Sequence, residues 1–251
     1  MFMFVVARPR LLQNGQMFDG KIGIWPFIKR VPAQRSSVNR ARGTMEFKSI
    51  TENADIFYEY MTHLDDGTTN WCDGISTQGV LEEIQIKCKH LRNEGGINVR
   101  IDGATPHTGM QTISKLNMYC SNFLPPGFDI HVLQSPAQSP DMSVLDLCFN
   151  WSLMKRSDQL KIGAHTSKDL ADAIREAWDA YDWETLDRAW GCLISTYQLI
   201  LNDEGGNEFR TPHNGVRRRQ AMGANVFDVP IDIAQIDRLQ LLIDDYFHVN
   251  P

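Results

Sequence analysis

Two short strand-like runs, Asn98 to Ile101 and Phe128 to Leu133, flank a segment with helix-like spacing, Thr108 to Cys120. That order constrains the fold most. Strands joined through a helix return in the same direction, so the pair must lie parallel, with the helix covering one face of the layer. The expectation is an α/β domain with parallel pairing at its centre.

The flanking segments fit such a layer. Met1 to Ala7 is apolar and rich in β-branched and aromatic residues. Asn14-Gly15 follows as a turn signal, and Lys21 to Val31 resumes extended character, predicting a hairpin. Pro26 and Pro32 cannot donate to a ladder, so the second segment belongs at a sheet edge or turns irregular beyond Ile24. Residues 62 to 79 collect Asp, Gly, Thr, Asn and Ser and read as a loop. Val80 to Leu91 then shows helical spacing, with Gly95-Gly96 ending that helix.

The composition beyond residue 160 turns helical. Ser167 to Tyr181, Trp183 to Leu201 with Asp182 as N-cap and Gly205-Gly206 as its end, and Ile233 to Tyr246 read as helices there, as does Ser143 to Met154 before it. The division expected is 1–160 for the α/β part and 161–251 for a helical region packing on it. Trp178, Trp183, Trp190, Tyr181 and Tyr197 sit at helical spacing, which favours packing over a base-stacking platform.

Charge is unevenly spread. Residues 1 to 48 hold nine Lys/Arg against two Asp/Glu in a chain of net charge −6. Lys29, Arg30, Arg35, Arg40 and Arg42 would project from a strand edge, where they suit a phosphate backbone or simply a solvated face. Arg217-Arg218-Arg219 is a smaller cluster of the same kind. The five cysteines are scattered and never take zinc-site spacing, a pattern of reduced thiols inside a cell. The longest apolar run near the start is far too short to span a bilayer, and no membrane partner is expected.

Two stretches could carry chemistry: Val99-Arg100-Ile101-Asp102-Gly103-Ala104-Thr105-Pro106-His107, and Ser139-Pro140-Asp141-Met142-Ser143-Val144-Leu145-Asp146. An aspartate at the carboxyl end of a strand projects into the crevice where α/β sheets hold ligands. A second acid on a nearby helix could share a hard divalent ion with it. Asp141, after Pro140, suits a helix N-cap better than catalysis.

Asp102-Gly103-Ala104 with His107 resembles the D-N-A-x-x-H element of Tc1/mariner transposases, and Ser139-Pro140-Asp141 through Asp146 resembles their S-P-D-L-N-P-I-E element. The stretches Ala7-Arg8-Pro9-Arg10, Phe18 to Pro26, Ala33-Gln34-Arg35-Ser36, Gly205-Gly206-Asn207 and Pro212-His213 are similar to the eukaryotic mariner-like branch. The resemblance implies a ribonuclease H-like mixed sheet flanked by helices. It implies Asp102 and Asp146 as catalytic, metal-binding carboxylates for Mg²⁺ or Mn²⁺, with His107 supporting the site. It also implies DNA, as transposon ends and target, for substrate, a homodimer, and the nucleus as the place of action.

The family's first catalytic aspartate lies upstream of the A-R-P-R stretch, on the strand at the centre of its sheet. The expectation is therefore a truncated transposase catalytic domain without that strand and without the helix-turn-helix segments, inactive alone. Asp19, the sole acid in the first 45 residues, sits in a hairpin turn and does not replace the lost group. Two alternatives stand beside it: a domesticated DNA-binding or protein-interaction scaffold without chemistry, and a residual Mg²⁺-dependent nuclease.

Overall fold

The computed structural model describes residues 1–62, 78–92, 96–108, 110–136, 138–160, 166–206 and 208–209. The expected helix Ile233 to Tyr246, the Arg217-Arg218-Arg219 cluster and most of the loop expected at 62 to 79 lie outside them. The chain divides into two compact units: Met1–Gln138 with Ser152–Trp183, and Ser139–Trp151 with the segment from Glu184 onward.

In the first unit the expected hairpin forms. β1 (Phe2–Val6) runs antiparallel to β4 (Lys21–Pro26), with Met3 opposite Trp25 and Val5 opposite Gly23. β2 (Arg10–Leu11) and β3 (Met17–Phe18) carry the ribbon outward to the turn, where Gly15 takes a φ of +80°. The ladder changes partners at Phe27. Pro26 has no N–H to give, while Phe27 donates its own to Met1 O at 2.9 Å and accepts from Ile50 N at 2.9 Å. From there β5 (Ile28–Pro32) pairs with β6 (Met45–Ser49).

α1 (Ala54–Thr62) begins where Asn53 Oδ1 accepts from Ile56 N at 2.9 Å, a side-chain cap, and it buries Phe57, Tyr60 and Met61. Tyr60 OH donates to Pro26 O at 3.1 Å, which ties α1 to the partner-switching corner. α2 (Val80–Lys87) buries Val80, Leu81 and Ile84 and runs into a single 3₁₀ turn, Lys89–Leu91.

The parallel pair appears as expected. β7 (Ile97–Ile101) lies in register with β8 (Ile130–Gln134), Val99 opposite Val132. Between them come a short turn of helix, α3 (Thr105–Thr108), and α4 (Met110–Phe123). Asn117 of α4 takes the place of a further strand beside β8. Its Nδ2 donates to Val132 O at 3.0 Å and its Oδ1 accepts from Val132 N at 2.8 Å. Val132 is fully buried, so water is a poor substitute for that amide. Asn117→Leu is expected to cost about 1–3 kcal/mol for each backbone group left unsatisfied, measured as the shift in urea unfolding.

Among the described residues the strands form four two-stranded ladders, β1-β4, β2-β3, β5-β6 and β7-β8, instead of the single mixed sheet expected. The architecture is mixed α/β. Its main core gathers Trp25, Phe27, Phe57, Met61, Leu81, Leu116 and Val132 from strands and helices alike. A smaller cluster joins Ile28 with Ala171, where Phe2 and Phe47 pack.

α5 (Asn150–Leu160) belongs mostly to this unit. α6 (Ser167–Asp179) opens with a capping box: Asp169 N donates to Thr166 Oγ1 at 3.1 Å, and Thr166 N to Asp169 Oδ2 at 2.9 Å. At its other end Lys21 Nζ reaches Trp178 O at 3.3 Å and Asp179 O at 3.2 Å, a cation on the last carbonyls. Trp178 and Tyr181 are buried, consistent with packing, and Trp178 stacks on Phe4 with centroids 6.3 Å apart.

The second unit is helical in its described part. A 3₁₀ turn (Pro140–Met142) leads into a π-helical turn, Leu145–Phe149, and α7 (Trp183–Asn202) supplies the rest. Tyr197 OH donates to Met142 O at 3.0 Å, and Cys192 packs against Leu147 and Cys148. α7 closes as expected on Gly205, at φ +93°, whose N–H returns to Ile200 O at 2.8 Å. The four described cysteines, Cys88, Cys120, Cys148 and Cys192, are free thiols. No described helix is long and apolar enough to cross a membrane.

Candidate active site

Asp102 leaves the carboxyl end of β7 and starts a tight turn. Its Oδ1 accepts from Ala104 N at 3.0 Å, and His107 N donates to Ala104 O at 2.8 Å. An Asx turn followed by one helical turn brings the His107 ring back over Asp102. Its Nδ1 donates to Asp102 Oδ1, and its Nε2 lies 2.8 Å from Glu52 Oε1. Glu52 stands in the segment just before α1, and Phe57 of α1 supplies a floor: the His107 and Phe57 rings are 4.1 Å apart at 33°.

Exposure grades outward along this chain of groups. The Glu52 side chain is 8% exposed, His107 15% and Asp102 60%. Two acceptors, one at each ring nitrogen, call for a proton on both, which is the imidazolium form. The hydrogen bond from His107 holds the Asp102 carboxyl below its ordinary 3.8, with the Ala104 N–H and the His107 charge adding to it against partial burial. Burial is the largest single influence on His107 and pulls it down, but the bonds and charges of Asp102 and Glu52 together outweigh it and raise it above 6.5.

These shifts set a pH window for stability. The depressed Asp102 contributes stability that is present above pH 3.8 and lost as pH falls through its folded value. The raised His107 contributes stability that is whole below pH 6.5 and lost as pH rises through its folded value. For the metal-free chain, the share of stability owed to this cluster is therefore expected to be greatest between pH 3.8 and 6.5. Thermal melting across pH, with His107→Gln as the control in which the alkaline decline is reduced, measures it.

Asp146 sits in the π-helical turn of the second unit. Its N–H donates to Ser143 Oγ at 3.4 Å, and its Oδ1 accepts from Asn150 Nδ2 at 3.5 Å. The side-chain oxygen at this helix start is Ser143's, where sequence spacing favoured Asp141 as the cap. Asp102 belongs to the first unit and Asp146 to the second. Among the described residues no three His, Cys, Asp or Glu side chains converge as a metal cluster.

The residues present fit a hard cation in one limited sense. Oδ1 of Asp102 takes both hydrogen bonds, and the side chain is more than half exposed, which leaves Oδ2 as the oxygen for an ion. Mg²⁺ ordinarily keeps several waters and binds through one or two carboxylates plus substrate phosphates, so a single outward carboxylate oxygen is a usable anchor. Asp19 is not such an anchor. It accepts from Lys21 N at 3.0 Å and lies 3.8 Å from Lys21 Nζ, shaping the hairpin turn.

The basic residues do not form one face. In the β5-β6 ladder Lys29 lies opposite Lys48, which sequence analysis had not selected, while Arg30 lies opposite Phe47 on the other face. Arg35 and Arg42 are exposed in the connection between these strands. Arg40 is paired with Glu46, which Lys48 Nζ also approaches to 3.0 Å, so one carboxylate is shared by two cations. Glu52 was the other residue missed. More than fifty positions separate it from His107, and nothing in its own neighbourhood marks it as a site residue.

No protein family, no curated protein and no solved structure matches the chain.

Proposed function

We propose that the chain is a transposase-derived catalytic domain of the Tc1/mariner kind, ribonuclease H-like in ancestry, that holds a divalent cation at Asp102 and contacts DNA. The observation that carries this reading is the placement of Asp102. It stands at the carboxyl end of a parallel strand, with one oxygen fixed by Ala104 N–H and His107 and the other left for an ion. Those residues belong to the D-G-A-x-x-H stretch on which the resemblance rests.

Bound Mg²⁺ or Mn²⁺ would supply Lewis-acid activation of a phosphodiester and its attacking water. The chain's own part is to present the Asp102 carboxylate deprotonated and oriented. Lys29, Lys48, Arg35 and Arg42 would meet phosphates, with the nucleus as the setting. With no third carboxylate assigned, this chain alone is proposed to bind cation and DNA without carrying transposition through. A scaffold that binds DNA and has no chemistry is the second reading, favoured by the lack of a converging three-ligand group among the described residues.

The test uses the purified chain, supercoiled plasmid and Mn²⁺, with Asp102→Ala and Asp146→Ala beside it. Cation uptake that depends on Asp102, together with DNA binding that weakens steeply with salt, supports the reading. Nicking lost in both variants would make the chain a residual nuclease. Salt-sensitive DNA binding with no cation uptake at all would leave the scaffold.

A further inference from the structure

We infer that Glu52 is a positioning residue for the cation carboxylate: it holds His107, and His107 holds Asp102, so that Oδ2 of Asp102 stays aimed outward. The inference rests on the reading of Asp102 as a cation ligand and adds to it a residue that neither motif contains. Glu52 is separated from Asp102 by fifty positions in sequence and joined to it by one imidazole ring.

Burial makes the arrangement costly unless it is paired. A carboxylate exposed by only 8% is stabilised when a charged donor meets it, and His107 Nε2 does so at 2.8 Å. The ring has little freedom left. Both nitrogens are engaged, and Phe57, itself 1% exposed, lies against one face at a centroid distance of 4.1 Å.

The outer end of the relay is the functional one. Asp102 Oδ1 is anchored by Ala104 N–H and by His107 Nδ1, which fixes its rotamer and keeps that oxygen from a cation. A hard ion is then met by Oδ2 alone, in a fixed direction, with waters or phosphate oxygens completing its shell. If Glu52 is removed, the imidazole loses its inner tether. Asp102 then keeps its charge and the Ala104 bond, but the imidazole that aims it is no longer held from behind. Outer partners that orient a ligating side chain typically contribute 10–100-fold to metal affinity.

The experiment is Mn²⁺ binding to the full chain, read by electron paramagnetic resonance, with thermal melting confirming that each variant is folded. Glu52→Leu fills the buried site without an acceptor and is expected to weaken Mn²⁺ binding by about 10–100-fold. Glu52→Gln keeps an acceptor oxygen for Nε2 and should recover most of the affinity. His107→Phe retains the stack on Phe57 but neither hydrogen bond, so it tests the relay if Glu52→Leu does not fold, with the same expected loss. A residue that only braces the fold would lower the melting temperature of Glu52→Leu and leave the Mn²⁺ affinity of the folded protein untouched. That result, or wild-type affinity in His107→Phe, overturns the inference.

Asp102→Asn separates this from the underlying reading. If it abolishes Mn²⁺ binding while the Glu52 and His107 variants bind normally, the inference falls and the reading stands. If Asp102→Asn itself binds Mn²⁺ as well as wild type, the reading falls first.

Discussion

If Asp102 holds the proposed cation, Asp102→Asn is expected to remove the bound-Mn²⁺ signal at every concentration at which the wild-type chain saturates, while leaving the fold and the proposed DNA binding in place. Asparagine is isosteric and keeps an oxygen for the Ala104 N–H, so the Asx turn after β7 survives. What it loses is charge. An amide oxygen is a far weaker partner for a hard divalent ion than a carboxylate, and no described group of three metal-type side chains stands ready to compensate. Exchanging the charge-assisted bond to His107 for a neutral one should cost about 1 kcal/mol of stability, small beside the loss of binding. Mn²⁺ resonance and urea unfolding on the same preparation separate the two effects. A variant that lost DNA binding along with Mn²⁺ would show that the two surfaces are not independent.

The part of this site that sequence made legible is the part built from neighbouring residues. Asp102, Ala104 and His107 lie within six positions, and an Asx turn and one helical turn are enough to bring them together. The parallel β7-β8 pair was legible for a similar reason, because the intervening helical spacing of α4 dictates its direction. Glu52 was not legible, since its partner is chosen by the packing of α1 through Phe57, which no local pattern encodes. β6 escaped notice because Met45–Ser49 carries Glu46 and Lys48 on its polar face, leaving Met45 and Phe47 alone to hint at a buried side. Arg40 was legible only in part. Its charge was legible, but its pairing with Glu46, which β6 brings to it, was not. Asn117 gave no sequence signal at all, being an indifferent helix residue whose role is to bond a strand edge.

Trp25→Ala is expected to cost about 3–5 kcal/mol, a large share of the roughly 5–15 kcal/mol by which domains are stable. Trp25 is 1% exposed at the centre of the main core, and its Nε1 donates to Gln78 O at 3.1 Å, tying β4 to the start of α2. The room for its indole is made by Gly23, two residues earlier on the same face of β4. A Cβ at Gly23 would fall 2.6 Å from the far edge of the Trp25 ring, closer than such contacts occur. Only glycine allows that ring to lie flat along its own strand. Gly23→Ala is thus the reciprocal experiment, overpacking the same spot at about 1–3 kcal/mol. Because both changes act on one contact, the double variant should cost less than the sum of the two, since an alanine at 23 has nothing to strike once the indole is gone. Urea unfolding of the four proteins closes that cycle, and strict additivity would mean that Gly23 and Trp25 do not support each other in the folded chain.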